Sequence, residues 1–352
     1  MRLFSCPSCG LTVFFENRHC TRCGMRLGYA AGEDRVVALV EGEGSVCTDV
    51  ERGAQYRFCA NAAYDACNWV VPAESAARFC LACRHNRTVP PLDDPANLAR
   101  WQVLEEAKHR LIYTLLRLGL PMADRREKPL DGLVFDFLAD SPDGERVMTG
   151  HADGVVTIAL READDVERER MRVGMGEYYR TVLGHFRHET GHYFWDVLVR
   201  DGGVLEEFRT LFGDERAEYG AALRRHYEIG PPSDWQERHV SAYATMHPWE
   251  DFAESWAHYL HMVDTLETGA SYGLSTAPHV VEPQALSAVL DFDPFGGAPF
   301  EELSEAWLAM TSLLNSLNRA MGVREVYPFV LTAPVLGKMA FIHRLVGMNR
   351  RR

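Results

Sequence analysis

The stretch Gly184-His-Phe-Arg-His188-Glu189-Thr-Gly-His192-Tyr-Phe-Trp195 decides how the rest of the chain is read. Within it, His188, Glu189 and His192 make an HExxH motif. Residues four apart on an α-helix lie one above the other, so both imidazoles can aim a nitrogen at one metal ion. Glu189 stands beside them, where its carboxylate can take a proton from a water that the metal acidifies. The neighbours agree with a buried helix, expected to start near Met175. Tyr178, Tyr179, Val182, Phe186, Tyr193, Phe194, Trp195, Val197 and Leu198 supply its apolar positions. Gly191 sits awkwardly there, because glycine weakens a helix interior by about 1 kcal/mol relative to alanine. A packing or access reason for it is expected.

A zinc site needs a third protein ligand. The richest candidate stretch is Tyr243-Ala-Thr-Met-His-Pro-Trp-Glu250-Asp-Phe-Ala-Glu254-Ser-Trp-Ala-His258. Pro248 suits the first turn of a helix, and Trp249, Phe252, Ala253, Trp256, Ala257 and Leu260 give it an apolar face. Glu250 and Glu254 are one turn apart on the same side. One carboxylate can bind the metal while the other accepts the spare N–H of a liganding histidine. His185, His247, His258 and His261 read as hydrogen-bonded core residues rather than ligands.

All nine cysteines precede residue 84. Cys6-Pro-Ser-Cys9-Gly and Cys20-Thr-Arg-Cys23-Gly are paired knuckles, each bringing two thiolates to one ion while the glycine takes the turn; together they predict a four-cysteine zinc ribbon. Cys59, Cys67, Cys80 and Cys83 offer a second structural zinc, and Cys47 is left as a buried thiol. The segment reads as loop-rich and short of hydrophobic core, so structural metal would supply much of its stability. Residues 1–90 hold no lysine and no basic stripe, and the chain carries a formal net charge of -13; both argue against nucleic-acid binding. Docking of a protein partner on the ribbon is the remaining expectation. No apolar run approaches a membrane span and the first residues lack a secretory signal, which predicts a cytoplasmic chain with no membrane partner.

Val89-Pro-Pro-Leu-Asp-Asp-Pro95 reads as a linker, dividing 1–90 from 91–352. Asp94 and Pro95 then open a helix carrying Leu98, Trp101, Leu104, Ala107, Leu111, Leu115 and Leu118 at helical spacing. Strands are expected at 133–138, 146–149 and 155–160, the last two flanking Gly150-His-Ala-Asp-Gly154, a hairpin or tight loop with His151 near the turn. A charged helix face at 162–172, loops with a shorter helix across 201–240, and packing helices at 300–318 and 334–346 complete the reading, an α+β chain.

The HExxH followed some sixty residues later by the Glu250 helix resembles the gluzincin pattern. Tyr243 through Glu254 is similar to the Tyr-x6-Glu-x-Phe-Ala-Glu segment of the lethal-factor-like group, Asp251 replacing an apolar residue. That resemblance implies a zincin-like, mainly helical peptidase domain with a small edge sheet, Glu250 as third zinc ligand, Tyr243 as oxyanion stabiliser and Glu254 as support. The whole chain resembles a bacterial family of zinc-ribbon metallopeptidases, through Cys6-Pro-Ser-Cys9-Gly, Cys67-Asn-Trp, Cys80-Leu-Ala-Cys83-Arg, the HFRHExGH run and Tyr327-Pro-Phe-Val-Leu331. The reading is a zinc metallopeptidase acting on protein or peptide, with one catalytic and two structural zinc ions and Glu189 as general base; the motif leaves internal and terminal cleavage open, and the fused ribbon favours an endopeptidase. The alternative is a zinc-stabilised protein-interaction module with a non-catalytic HExxH; Glu189, which a structural site does not need, favours the enzyme.

Overall fold

A computed structural model describes residues 1–140, 144 and 146–350. They form two compact units, Met1–Tyr113 with Met122–Arg168, and Thr114–Pro121 with Glu169–Arg352. The architecture is mixed α/β, with the larger sheets in the N-terminal part and most of the helices in the C-terminal part.

The first unit opens on the hairpin β1 (Phe4–Ser5) and β2 (Thr12–Val13). It continues into β3 (Arg26–Ala30), β4 (Arg35–Glu41), β5 (Cys47–Asp49), β6 (Gln55–Phe58) and β7 (Val70–Pro72), an antiparallel sheet in that order. This sheet corrects the expectation of a loop-rich segment short of hydrophobic core. Val36, Val37, Ala38 and Leu39 are all buried, so β4 is covered on both faces and shows none of the alternation that announces a half-exposed strand. Cys47 is one of that core, packed with Ala30, Val37, Leu39, Tyr56 and Val70, and burial pushes its thiol up. Phe15, Tyr29, Trp69 and Tyr113 meet edge to face beside it, with centroids 4.9–5.9 Å apart for Phe15 on Tyr29, Trp69 and Tyr113.

β8 (Asn86–Thr88) precedes helix α1 (Pro95–Arg117), whose first turn is capped by Asp94 Oδ1 accepting the Ala96 N–H at 2.8 Å. β9 (Val134–Leu138), β10 (Gly150–Ala152) and β11 (Val155–Ala159) complete a second sheet, ordered β10-β11-β9-β8. The expected strand at 146–149 is displaced to 150–152. Asp153 and Gly154 both take positive φ, 47° and 78°, and so form a two-residue turn in place of the expected five-residue loop. His151, expected in a loop, lies in β10 opposite Val156, and its Nε2 accepts the Gly154 N–H at 3.1 Å.

Helix α2 (Asp165–Gly174) buries none of its side chains. In the second unit, α3 (Val182–Trp195) runs on through one π-helical turn at Asp196–Arg200. It begins at Val182, not near Met175, because Thr181 Oγ1 caps it by accepting the Gly184 N–H at 3.0 Å; Tyr178 lies outside the helix and is exposed. Then follow α4 (Leu205–Phe212), α5 (Tyr219–Ile229), α6 (Pro248–Ser271), the hairpin β12 (Ser275–Thr276) and β13 (Ala288–Val289), α7 (Phe300–Ala320) and α8 (Ala333–Asn349). Helix α6 is the centre, packed by α3, α4, α7 and α8, with Phe194 stacked on Trp256 at 4.8 Å. A buried pair, Arg187 to Asp264 at 2.5 Å, ties α3 to α6 beside the motif. Among the described residues no helix is long and apolar enough to cross a membrane.

Candidate metal centre

Helix α3 presents His188 and His192 on one face, their ring centroids 5.0 Å apart. Helix α6 starts where His247 Nδ1 accepts the Trp249 N–H at 3.1 Å and Pro248 occupies the first turn. Its first two turns bring Glu250 and Glu254 toward α3. Glu250 Oε2 lies 3.0 Å from His188 Nε2 and 3.4 Å from His192 Nε2. Glu254 Oε1 lies 2.7 Å from His188 Nδ1, and Ser241 Oγ donates to Glu254 Oε2 at 2.6 Å. Both carboxylates therefore meet the same imidazole, one at each nitrogen. The ring of Trp249 packs 4.1 Å from that of His192.

Gly191 explains itself here. A Cβ at that position would stand 2.8 Å from Ala253 Cα and 3.2 Å from Trp256 Cδ1. Only a residue without a side chain lets α3 and α6 approach closely enough for their polar groups to meet.

The electrostatics are those of carboxylates paired with imidazoles, each holding the other charged. Burial pushes the Glu250 carboxyl up, but the charge of His192 and the hydrogen bonds to His188 and His192 outweigh it and hold the group well below its usual range. Glu254 is likewise brought down to about 2 against burial by its bond to His188. Asp251 points the other way. It is buried against Lys338 Nζ at 2.6 Å, and burial raises its carboxyl to about 7 despite that cation. Of the three neighbouring acids, Glu250 is the one whose oxygen meets both imidazoles.

Whether zinc fits can be judged from distances. Nitrogen and oxygen donors about 2.0–2.1 Å from a tetrahedral zinc stand about 3.4 Å from one another. The 3.0 and 3.4 Å separations at Glu250 Oε2 match that edge, and His188, His192 and Glu250 offer donor atoms all within 4.8 Å of one another. Thiolates about 2.3 Å from zinc stand about 3.8 Å apart, whereas disulfide sulfurs lie at about 2.05 Å. Cys6 and Cys23 are 3.7 Å apart, Cys9 and Cys20 3.5 Å, and Cys67 and Cys80 3.8 Å, with every cysteine a free thiol. The cysteines thus gather as Cys6, Cys9, Cys20, Cys23 and as Cys59, Cys67, Cys80, Cys83. Gly10 and Gly24 close the first two knuckles with φ of 72° and 74°. Backbone N–H groups of Trp69, Cys80 and Cys83 point at sulfurs of the second group.

Three neighbours lie outside the expectations from sequence. Tyr219, the first residue of α5, donates its hydroxyl to Glu250 Oε1 at 2.8 Å. Ser241 supports Glu254. His109 on α1 places Nε2 3.5 Å from Cys83 Sγ, its Nδ1–H held by the Glu105 carbonyl at 2.6 Å. For His109 the chain does carry a signal: Glu105, Lys108 and His109 interrupt an apolar face, and all three are buried. Tyr243 lies with its ring 6.0 Å from that of His188, and burial, with the Glu250 charge, raises its hydroxyl. Glu189 is buried on α3 beside the imidazoles. The remaining histidines have other work. His247 Nε2 donates to the Ala217 carbonyl at 3.0 Å, His258 Nδ1 meets Tyr327 OH at 2.7 Å, and His261 packs among Tyr179, Trp307 and Tyr327.

Residues 97–345 match the family described as "Putative zinc-binding metallo-peptidase", and residues 3–94 match a zinc-ribbon domain. The chain belongs to this metallo-peptidase family. It is also 43% identical over 347 residues to uncharacterized proteins of Mycobacterium bovis and of two strains of Mycobacterium tuberculosis, covering 98% of this chain and 95% of each relative. No solved structure matches it. The family description and the cysteine groups together point to zinc as the metal of this metallo-peptidase relative.

Proposed function

We propose that the chain is a zinc-dependent peptidase of the gluzincin kind, with His188, His192 and Glu250 as the catalytic zinc ligands. The observation that carries this is the meeting of two Nε2 atoms on one Glu250 oxygen at 3.0 and 3.4 Å, with Glu189 on the same helix as the imidazoles. No fourth His, Cys, Asp or Glu joins that group among the described residues, which suits a site with one corner left for solvent. A zinc ion held there would acidify water and polarise a carbonyl oxygen.

The chain's own groups divide the remaining work. The Glu189 carboxylate takes the proton of the attacking water and returns it to the leaving amine nitrogen. The Tyr243 hydroxyl, which burial keeps protonated, donates to the oxyanion as it forms. Glu254 holds His188 through Nδ1, so that Nε2 faces the metal, and Ser241 holds Glu254 in turn. Tyr219 occupies the other oxygen of Glu250, leaving Oε2 for the metal. The likeness of Tyr243–Glu254 to the lethal-factor-like segment supports the same roles. Cleavage within chains, a zincin-like peptidase domain over 91–352, a ribbon over 1–90 that docks a protein partner, and three zinc ions per chain complete the proposal.

Metal analysis paired with peptide hydrolysis tests it. Glu189→Gln should abolish hydrolysis while the chain keeps about three zinc ions, by ligand counting. An unmodified chain with no hydrolytic activity and its metal intact would leave only the interaction-module reading.

A further inference from the structure

Helix α5 is an unusual neighbour for a metal centre. Of its residues only Ala222 is buried, yet its first residue bonds Glu250 and its His226 ring meets the Tyr243 ring edge-on at 5.8 Å. Beyond His226 the helix does not run into the core. It ends on a concavity of about 250 Å3 lined by Ala222, Ile229, Pro231, Pro232, Thr245 and Met246, with His226 in its wall. Tyr243, whose ring is 6.0 Å from that of His188, lies just ahead of Thr245 and Met246 in the same turn. One wall thus reaches the metal site through Tyr243, and the other through α5.

Ala222, Ile229, Pro231, Pro232 and Met246 make most of the concavity's lining apolar, and Ile229 stands 77% exposed at its rim. Its volume is below the roughly 300–1,000 Å3 of sites for whole small ligands. It matches a side chain of a larger bound molecule instead. The spacing agrees. Ala222 and Ile229 lie about 5 and 15 Å along the helix axis from Tyr219, at about 1.5 Å per residue. An extended peptide advances about 3.3 Å per residue. A chain crossing the metal centre beside α5 would bring one of the first few residues on that side over the concavity.

We infer that the concavity between α5 and the Thr245–Met246 turn is a substrate subsite that takes a large apolar side chain, such as Leu, Met or Phe, of a peptide cleaved at the metal centre. This rests on the peptidase reading above. Arg225 also lines the concavity, so an acidic side chain is the competing occupant.

The full zinc-loaded chain is given a mixture of random-sequence peptides, and the cut sites are read by mass spectrometry. Leu, Met and Phe should be enriched within three residues on one side of the cut. Thr245→Trp, which fills the concavity, and Ile229→Asp, which puts a charge at its exposed rim and leaves the core untouched, should each lower the preference for Leu over Ala by about tenfold or more in kcat/KM. Arg225→Ala should leave the preference unchanged. Cutting without apolar enrichment, enrichment that Ile229→Asp leaves intact, or a preference for Asp and Glu that Arg225→Ala removes would each overturn the subsite while the peptidase stands. A zinc-loaded chain that cuts no more than Glu189→Gln overturns the peptidase reading, and this inference with it.

Discussion

Replacing Gly191 by alanine sets two effects of known size against each other. Alanine is worth about 1 kcal/mol over glycine in a helix interior. The added Cβ, however, would sit 2.8 Å from Ala253 Cα and 3.2 Å from Ala253 Cβ, where carbon contacts are comfortable only at about 3.5–4.0 Å. Backbone cannot rotate away, so α3 and α6 must part by about 0.7–1.2 Å. Overpacking of that kind costs about 1–3 kcal/mol, enough to cancel or exceed the propensity gain. The same displacement moves His188 and His192 away from Glu250, whose contacts with them are 3.0 and 3.4 Å now. Zinc affinity should fall about 10- to 100-fold, the usual result of disturbing ligand orientation. Gly337 in α8 is the control, since a Cβ there meets nothing within 4 Å and the substitution should stabilise by up to about 1 kcal/mol. Thermal melts of the metal-free chain and zinc competition against a chromophoric chelator read both quantities. If Gly191→Ala stabilises as much as Gly337→Ala and binds zinc as tightly as the unaltered chain, the close-approach argument is wrong.

Glu254→Gln keeps size but weakens the hold on His188 Nδ1, and should reduce zinc affinity about 10- to 100-fold without unfolding the chain, measured by calorimetric titration. Lys338→Met removes the cation beside the buried Asp251 carboxyl, which already sits at about 7, so that group rises further and stays protonated at neutral pH. The loss of stability should therefore be small near pH 7 and grow as the pH rises above it, seen in urea titrations at neutral and alkaline pH. His258 is driven down to about 4 by burial, from about 6.5 in the unfolded chain. Between those values the unfolded state binds the extra proton, so His258's share of stability is whole above about 6.5 and is lost as pH falls toward 4. The full loss is about 3 kcal/mol. Replacing His258 by Asn should flatten the pH dependence of the urea midpoint by that share, and an unchanged slope would contradict it.

Much of the site is legible in one dimension because its rules are local. Residues four apart share a helix face wherever the helix lies, so the pairing of His188 with His192 and of Glu250 with Glu254 follows from their spacing alone. Two cysteines separated by two residues meet at one turn for the same reason, and Asp94 announces a helix start by its own side chain. The Asp153-Gly154 turn is equally local: taken as a two-residue turn, that dipeptide sets the strand register that a longer loop would misplace. The five-stranded sheet is different. Strands buried on both faces show no alternation, so β4 carries no periodic mark of its own. Nor does any spacing say that Tyr219 will bond Glu250, that Ser241 will support Glu254 or that His109 will approach Cys83 from another element. Which helix faces meet, and at what distance, is settled by side-chain volume at the crossing. Here it comes down to the missing Cβ of Gly191 against Ala253. Short-range geometry placed each pair of donors on its own element; only packing between elements brought the pairs together.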